Sequence, residues 1–257
     1  MRSLWSALPG TSLLILLTGC NGVGSDTGSS TTTNQSAVGI WSGTDSVTGL
    51  AVTAIVNTSG EAEFLRSDGA QFAGTAQVSG GSLAVAVDGY SNFTTTFSDG
   101  TTTGVGTISG TVTTSTTMTA SLSFTTSGDT AITGTWTLSY NSLSTLASSL
   151  AAVSANYTDG TTGAAVSIDG LGDVNSQDPT TGCVLNGTIS TSDAAYDIYQ
   201  ITFTYKSCSG NYAVLNDVEM TGVAVLDTGV SPQQLVIAVT GQSSSGSYGI
   251  TSYLNAT

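Results

Sequence analysis

From residue 38 onward the chain alternates apolar and small polar residues with a period of two. Met118, Ala120, Leu122 and Phe124 are separated by Thr119, Ser121 and Ser123. Ile132, Gly134, Trp136, Leu138 and Tyr140 alternate with Thr133, Thr135, Thr137 and Ser139. Leu83, Val85 and Val87 follow the same rule, as do Phe72, Gly74, Ala76 and Val78. Successive side chains of a strand point to opposite faces, so each run predicts a strand with one apolar face and one face covered by hydroxyls. Asp-Gly pairs begin at Asp68, Asp88, Asp99, Asp159 and Asp169. Both residue types tolerate the left-handed conformations of tight turns, which predicts antiparallel hairpins. Parallel strands need long, mostly helical crossovers. The single helical candidate is 142–152, where Leu143, Leu146 and Leu150 sit at helical spacing.

The two halves of the chain share landmarks spaced 113–116 residues apart. Trp41 pairs with Tyr157, Gly74 with Gly187, Gly106 with Gly222, and Leu138-Ser-Tyr-Asn141 with Ser252-Tyr-Leu-Asn255. Near-constant spacing favours a duplicated unit; one long sheet or sandwich is the alternative. The expected fold is all-β, with two small antiparallel barrels or sandwiches and one short linking helix. Gly39-Ile40-Trp41 resembles the Gly-x-Trp opening of lipocalin-like and avidin-like barrels. That resemblance implies closed barrels in which the Trp shuts one end. Closure would remove exposed strand edges, a hazard for sheets with so few charges.

The first residues have a different character. Arg2 precedes an apolar stretch, Leu13-Leu-Ile-Leu-Leu17, that is too short for a membrane span. Leu17-Thr-Gly-Cys20 follows and resembles the lipobox of bacterial lipoproteins. The resemblance implies cleavage after Gly19 and acylation of Cys20, with palmitate among the chains added. Asn21 after the cysteine resembles the pattern that implies delivery to the outer membrane in enteric lipoproteins. Each buried methylene contributes about 0.8 kcal/mol, so several acyl chains on Cys20 would make attachment effectively permanent. Residues 21–36 contain one bulky apolar side chain, Val23, and read as a flexible tether. The expected organisation is a signal peptide over 1–19, a lipidated tether over 20–37, a first β domain over 38–141, a linker or short helix over 142–153, and a second β domain over 154–257.

Composition removes several function classes. Thr, Ser and Gly make up 115 of 257 residues, charged residues only 8%, and there is no His. Histidine metal sites, a Ser-His-Asp triad and a Cys-His dyad are therefore impossible within the chain. Three basic residues against 17 acidic ones exclude a basic surface for nucleic acid. The net charge of −14 favours solubility and identifies no partner.

With Cys20 assigned to lipid, Cys183 and Cys208 remain, and in an exported protein they are expected to form one disulfide. Closing that loop should stabilise the fold by roughly 3–4 kcal/mol in the chain-entropy view. Around it, Cys183–Ile189 and Tyr199–Tyr205 read as paired strands, the second with Tyr199, Ile201, Phe203 and Tyr205 on one face. Setting Cys183 directly opposite Cys208 would pair Leu185 with Lys206 and Ile189 with Thr202, which mismatches the apolar faces. A bulge, or a Cys208 beyond the strand end, is therefore predicted near Lys206–Ser209. The stretch from Gly182 to Asp227 also resembles the C-terminal region of uncharacterised bacterial envelope lipoproteins, which implies no activity.

Other candidate chemistry is thin. Asp26-Thr-Gly and Asp227-Thr-Gly match the aspartic-protease triplet, but only Asp227 follows an apolar strand, and Asp26 lies in the tether. Asp169, Asp173, Asn175 and Asp178 form an oxygen-rich stretch without EF-hand spacing, expected to be a solvated acidic turn. Glu61 and Glu63, two apart on a strand, are expected on an exposed acidic edge. No catalytic, cofactor or metal residue is assigned. The expected protein is a non-enzymatic, membrane-anchored envelope lipoprotein that acts as a binding or structural module. The alternative is a carrier of a small apolar ligand or lipid, since barrels of about eight strands hold one such molecule.

Overall fold

The computed structural model describes residues 35–93 and 95–257. The leader, Cys20 and Asp26 lie outside the described residues. Sixteen antiparallel strands close into two eight-stranded barrels among the described residues. The first barrel runs β1 Gly39–Asp45, β2 Ala51–Val56, β3 Glu61–Arg66, β4 Ala70–Ser79, β5 Ser82–Ser91, β6 Thr103–Thr114, β7 Thr117–Thr126 and β8 Ala131–Tyr140. The second runs β9 Asn156–Asp159, β10 Ala165–Ile168, β11 Asp173–Gln177, β12 Val184–Thr191, β13 Tyr199–Lys206, β14 Glu219–Asp227, β15 Gln234–Ser243 and β16 Gly246–Ala256. Each strand pairs with the next in sequence, and the last returns to the first: Trp41 opposes Tyr140, and Tyr157 opposes Ala256. Barrels rather than sandwiches therefore form.

The inward faces follow the period of two. Met118, Ala120, Leu122 and Phe124 are all buried, while Thr119, Ser121 and Ser123 face solvent. One Asp-Gly pair is no turn. Asp88-Gly89 lies within β5, and a side chain at Gly89 would reach to 2.2 Å of the Phe124 ring. The glycine there makes room for an aromatic core residue.

The two barrels repeat their first two hairpins bond for bond. Asp45 and Asp159 each bond through their N–H to a carbonyl five residues on, at 2.9 Å, and each accepts a side-chain bond from the N–H two residues on, also at 2.9 Å. Gly49 and Gly163 close these turns with the same left-handed φ of 73°. Asn57 and Asp169 organise the second turns alike, each side chain accepting from the N–H groups two and four residues on. Gly74 and Gly187 occupy the fourth strands, where a Cβ would press on a carbonyl of the fifth at 2.2 and 2.1 Å. Gly106 and Gly222 do the same between the sixth and seventh strands. The first strand of each barrel also closes one end in one way. Trp41 Nε1 donates to the Ala37 carbonyl and the Tyr157 hydroxyl to the Val153 carbonyl, both 2.8 Å and both four residues back. Ala37 is thus part of the first barrel rather than of a tether.

Between the barrels run a 3-10 turn, Ser142–Thr145, and a one-turn helix α1, Leu150–Val153, where the sequence suggests a single helix. Asn141 and Ser149 cap them with side-chain oxygens. Another 3-10 turn, Gly210–Leu215, joins β13 to β14.

The barrels pack through their outer walls. Ile40, Ile55 and Leu65 of the first meet Ile198, Val223, Val225 and Ala238 of the second in one buried cluster. Strands in this seam are covered on both faces. Their sequences accordingly run apolar without alternation, as in Val223-Ala-Val-Leu226 and Leu235-Val-Ile-Ala-Val239.

Candidate functional site

The interiors of the two barrels differ. In the first, Trp41, Phe64, Phe72, Phe124 and Trp136 are fully or almost fully buried. Their rings lock together, with centroids 5.2 Å apart for Phe72–Phe124 and 5.6 Å for Phe64–Trp136. Asp45, at the β1–β2 turn beside Trp136, has no exposed surface. Burial opposes its charge, but bonds from the Val47 and Thr135 N–H groups outweigh that and hold the carboxyl below its ordinary value. This interior is a core.

The second barrel has no Trp, since all three lie at positions 5, 41 and 136. Its interior mixes aliphatic side chains with the rings of Tyr157, Tyr199 and Phe203. A cavity of about 140 Å³ remains, lined by Val166, Val174, Ile237, Ile250 and Leu254 among others. It lies towards the end where β9–β10, β11–β12 and β13–β14 connect, since Thr161, Thr181 and Tyr212 border it. The opposite end is shut by Tyr157 and Val153, which have little or no exposed surface.

The rim is built by side chains that also shape the turns. Asp159 accepts from the Thr161 and Thr162 N–H groups. Asp178 accepts from the Thr180 N–H and the Thr181 hydroxyl at 2.8 and 2.7 Å. Burial opposes the Asp178 charge, but these bonds prevail and hold the carboxyl below its ordinary value. Burial, and then the nearby carboxylates of Asp159 and Asp178, push the Tyr205 phenol upward. The rim is acidic and hydroxyl-rich, and the floor is apolar.

A disulfide joins Cys183 to Cys208 across this rim, and Cys183 lines the cavity. Leu185 opposes Tyr205 and Ile189 opposes Ile201, so the apolar faces match. Cys208 lies beyond the end of β13, past Ser207, whose φ of 59° turns the chain. Asn216 then holds Cys208 from both sides, accepting from its N–H at 2.8 Å and donating to its carbonyl at 3.0 Å. The register constraint is met by the second of the two predicted solutions.

The other sequence candidates are not brought together. Asp169 and Asp178 lie at opposite ends of β11, each capping its own turn, and Asp173 and Asn175 are exposed. Among the described residues no group of three or more His, Cys, Asp or Glu side chains could hold a metal ion. Asp227 accepts from the Gly229 N–H at 2.8 Å, as a turn residue does. Asp197 is buried nearby; burial pushes its carboxyl up to about 7.

Glu63 overturns the expectation of an exposed acidic edge. It is only 2% exposed, because the outward face of β3 is covered by the second barrel. Gln71 Nε2 donates to Glu63 at 3.0 Å and to the Val239 carbonyl of the second barrel at 3.3 Å. Thr251 donates to Gln71 Oε1, completing a polar link across the seam. The alternation pattern places Glu63 on an outward face, and only the seam makes that face dry. The apolar runs at 54–56 and 223–226 were the available signal.

No protein family, curated protein or solved structure matches the chain.

Burial pushes the Glu63 carboxyl well above its ordinary value of 4.5, opposed by the Gln71 bond and assisted by the charge of Glu61. A carboxyl raised in the folded state is most stabilising below its unfolded value, and that contribution is lost as pH rises towards the folded value. Glu63→Gln is therefore expected to match the native melting temperature near pH 4 and to exceed it increasingly up to pH 8. Thermal denaturation of both proteins across that range checks this. A difference independent of pH would contradict it.

Proposed function

We propose that the protein is a lipid-anchored lipoprotein of the bacterial cell envelope, attached to the outer membrane through Cys20, whose second barrel binds one small apolar ligand. The observation that carries the ligand reading is the contrast between two barrels of one architecture. One is filled by edge-on and tilted aromatic rings, and the other keeps an apolar cavity of about 140 Å³ with a polar rim. A dry apolar cavity of about 150 Å³ accepts benzene or xenon, so the ligand is a compact apolar molecule or the end of one hydrocarbon chain.

Attachment through the chain end agrees with how the barrels meet water. Thr107, Ser109, Ser121, Thr133 and Thr135 are exposed on the outer wall, and apolar side chains point inward. A membrane-spanning barrel has the reverse arrangement, with an apolar band facing lipid. Among the described residues no helix is long and apolar enough to cross a membrane. The acylated Cys20 would supply the anchor, and the residues after it the reach.

Two measurements check the two parts. Cells fed radiolabelled palmitate are expected to label the native protein and to leave Cys20→Ala unlabelled. Equal labelling, or none, would contradict the anchor. The body, residues 21–257, is expected to bind fluorobenzene saturably at one site by fluorine NMR. Ile237→Trp, which fills the cavity, should abolish that binding without lowering the melting temperature. Undiminished binding would place the site elsewhere.

A further inference from the structure

We infer that Phe93, which belongs to the first barrel, is the stopper of the second barrel's cavity and sets how fast its ligand leaves. This rests on the ligand reading above and adds a residue to it. The connection from β5 to β6 carries two phenylalanines that part company. Phe97 turns into its own barrel, is 6% exposed and packs on Phe124 with centroids 5.3 Å apart. Phe93 turns to the neighbouring barrel and packs against that barrel's core cluster. Its ring lies 5.0 Å from Tyr212 and 6.1 Å from Tyr248, and it lines the cavity.

The backbone beneath Phe93 is fixed while its ring is not. Asn92 donates its N–H to the Gly69 carbonyl at 2.9 Å and accepts from the Thr95 N–H at 2.7 Å. Its side chain accepts from the Phe93 N–H at 2.8 Å and reaches the Thr251 carbonyl of the second barrel at 3.5 Å. The ring itself is half-buried and held by contact alone. Elsewhere on the rim Asp159 and Asp178 are tied by hydrogen bonds and Cys183 by its disulfide. A phenyl ring swings about its χ angles without breaking a hydrogen bond, so Phe93 yields without loss of a polar contact. A compact apolar ligand leaves as the ring turns aside, and a longer chain would emerge beside it. Because the stopper comes from the first barrel, the seam becomes part of the binding site.

The test uses the body, residues 21–257, whose described part contains both closed barrels with their own cores. Dissociation of fluorobenzene is followed by fluorine NMR exchange in the native protein, Phe93→Ala and Phe93→Leu. Phe93→Ala is expected to keep one saturable site but release the probe about tenfold faster, the scale of losing an aromatic contact. Phe93→Leu, which retains an apolar cover and the fold, should fall between. Binding by the native protein with unchanged release from Phe93→Ala would overturn this inference and leave the cavity reading standing. Failure of the native protein to bind would remove both.

Discussion

Closing a sheet of eight strands fixes the width of the space inside it. That width is just enough for side chains to fill or for one small molecule to occupy. Nothing in the backbone decides which. The decision falls to the volume of the inward side chains, because protein interiors otherwise pack without voids. In the first barrel two Trp and several Phe rings take the space. In the second, β10, β11 and β15 offer Val166, Val174 and Ile237, and a cavity is left. One architecture used twice thus produces one interior filled by rings and one that keeps a cavity towards one end.

The first barrel also shapes the surroundings of the second. Its outer wall at Ile40, Ile55 and Leu65 supplies the apolar half of the seam, and its β5–β6 connection supplies Phe93 to the other barrel's mouth. The seam also contains Glu63, a carboxyl kept out of water and joined through Gln71 to the Val239 carbonyl. Burying an ionisable group is unfavourable for its charged form. The apolar contacts around it carry the docking.

Much of this was legible in the residues. Period-two runs such as Met118–Phe124 marked strands and the face each would bury, because alternation follows directly from strand geometry. The spaced landmarks, Trp41 with Tyr157 and Gly74 with Gly187, fall on corresponding strands. The cysteine register argument anticipated that Cys208 would lie past the end of β13, since mismatched faces leave few alternatives. Asp88-Gly89 misled because a glycine can serve a neighbouring ring as well as a turn. Glu63 misled because alternation tells inside from outside of one sheet, not whether a second body covers the outside. The cavity was hardest to read. It depends on the sum of side-chain volumes across eight strands, and no local pattern reports that sum. The missing Trp after residue 136 was its one trace in the sequence.

The claim that the second interior is hollow and apolar while the first is filled is tested most directly by diffraction from crystals of the protein under xenon pressure. Xenon needs no specific chemistry and enters dry cavities of this size. A single xenon peak among Val174, Ile237 and Ile250, with none beside Trp136, is the result expected. A xenon-free second barrel, or a peak within the first, would contradict the account.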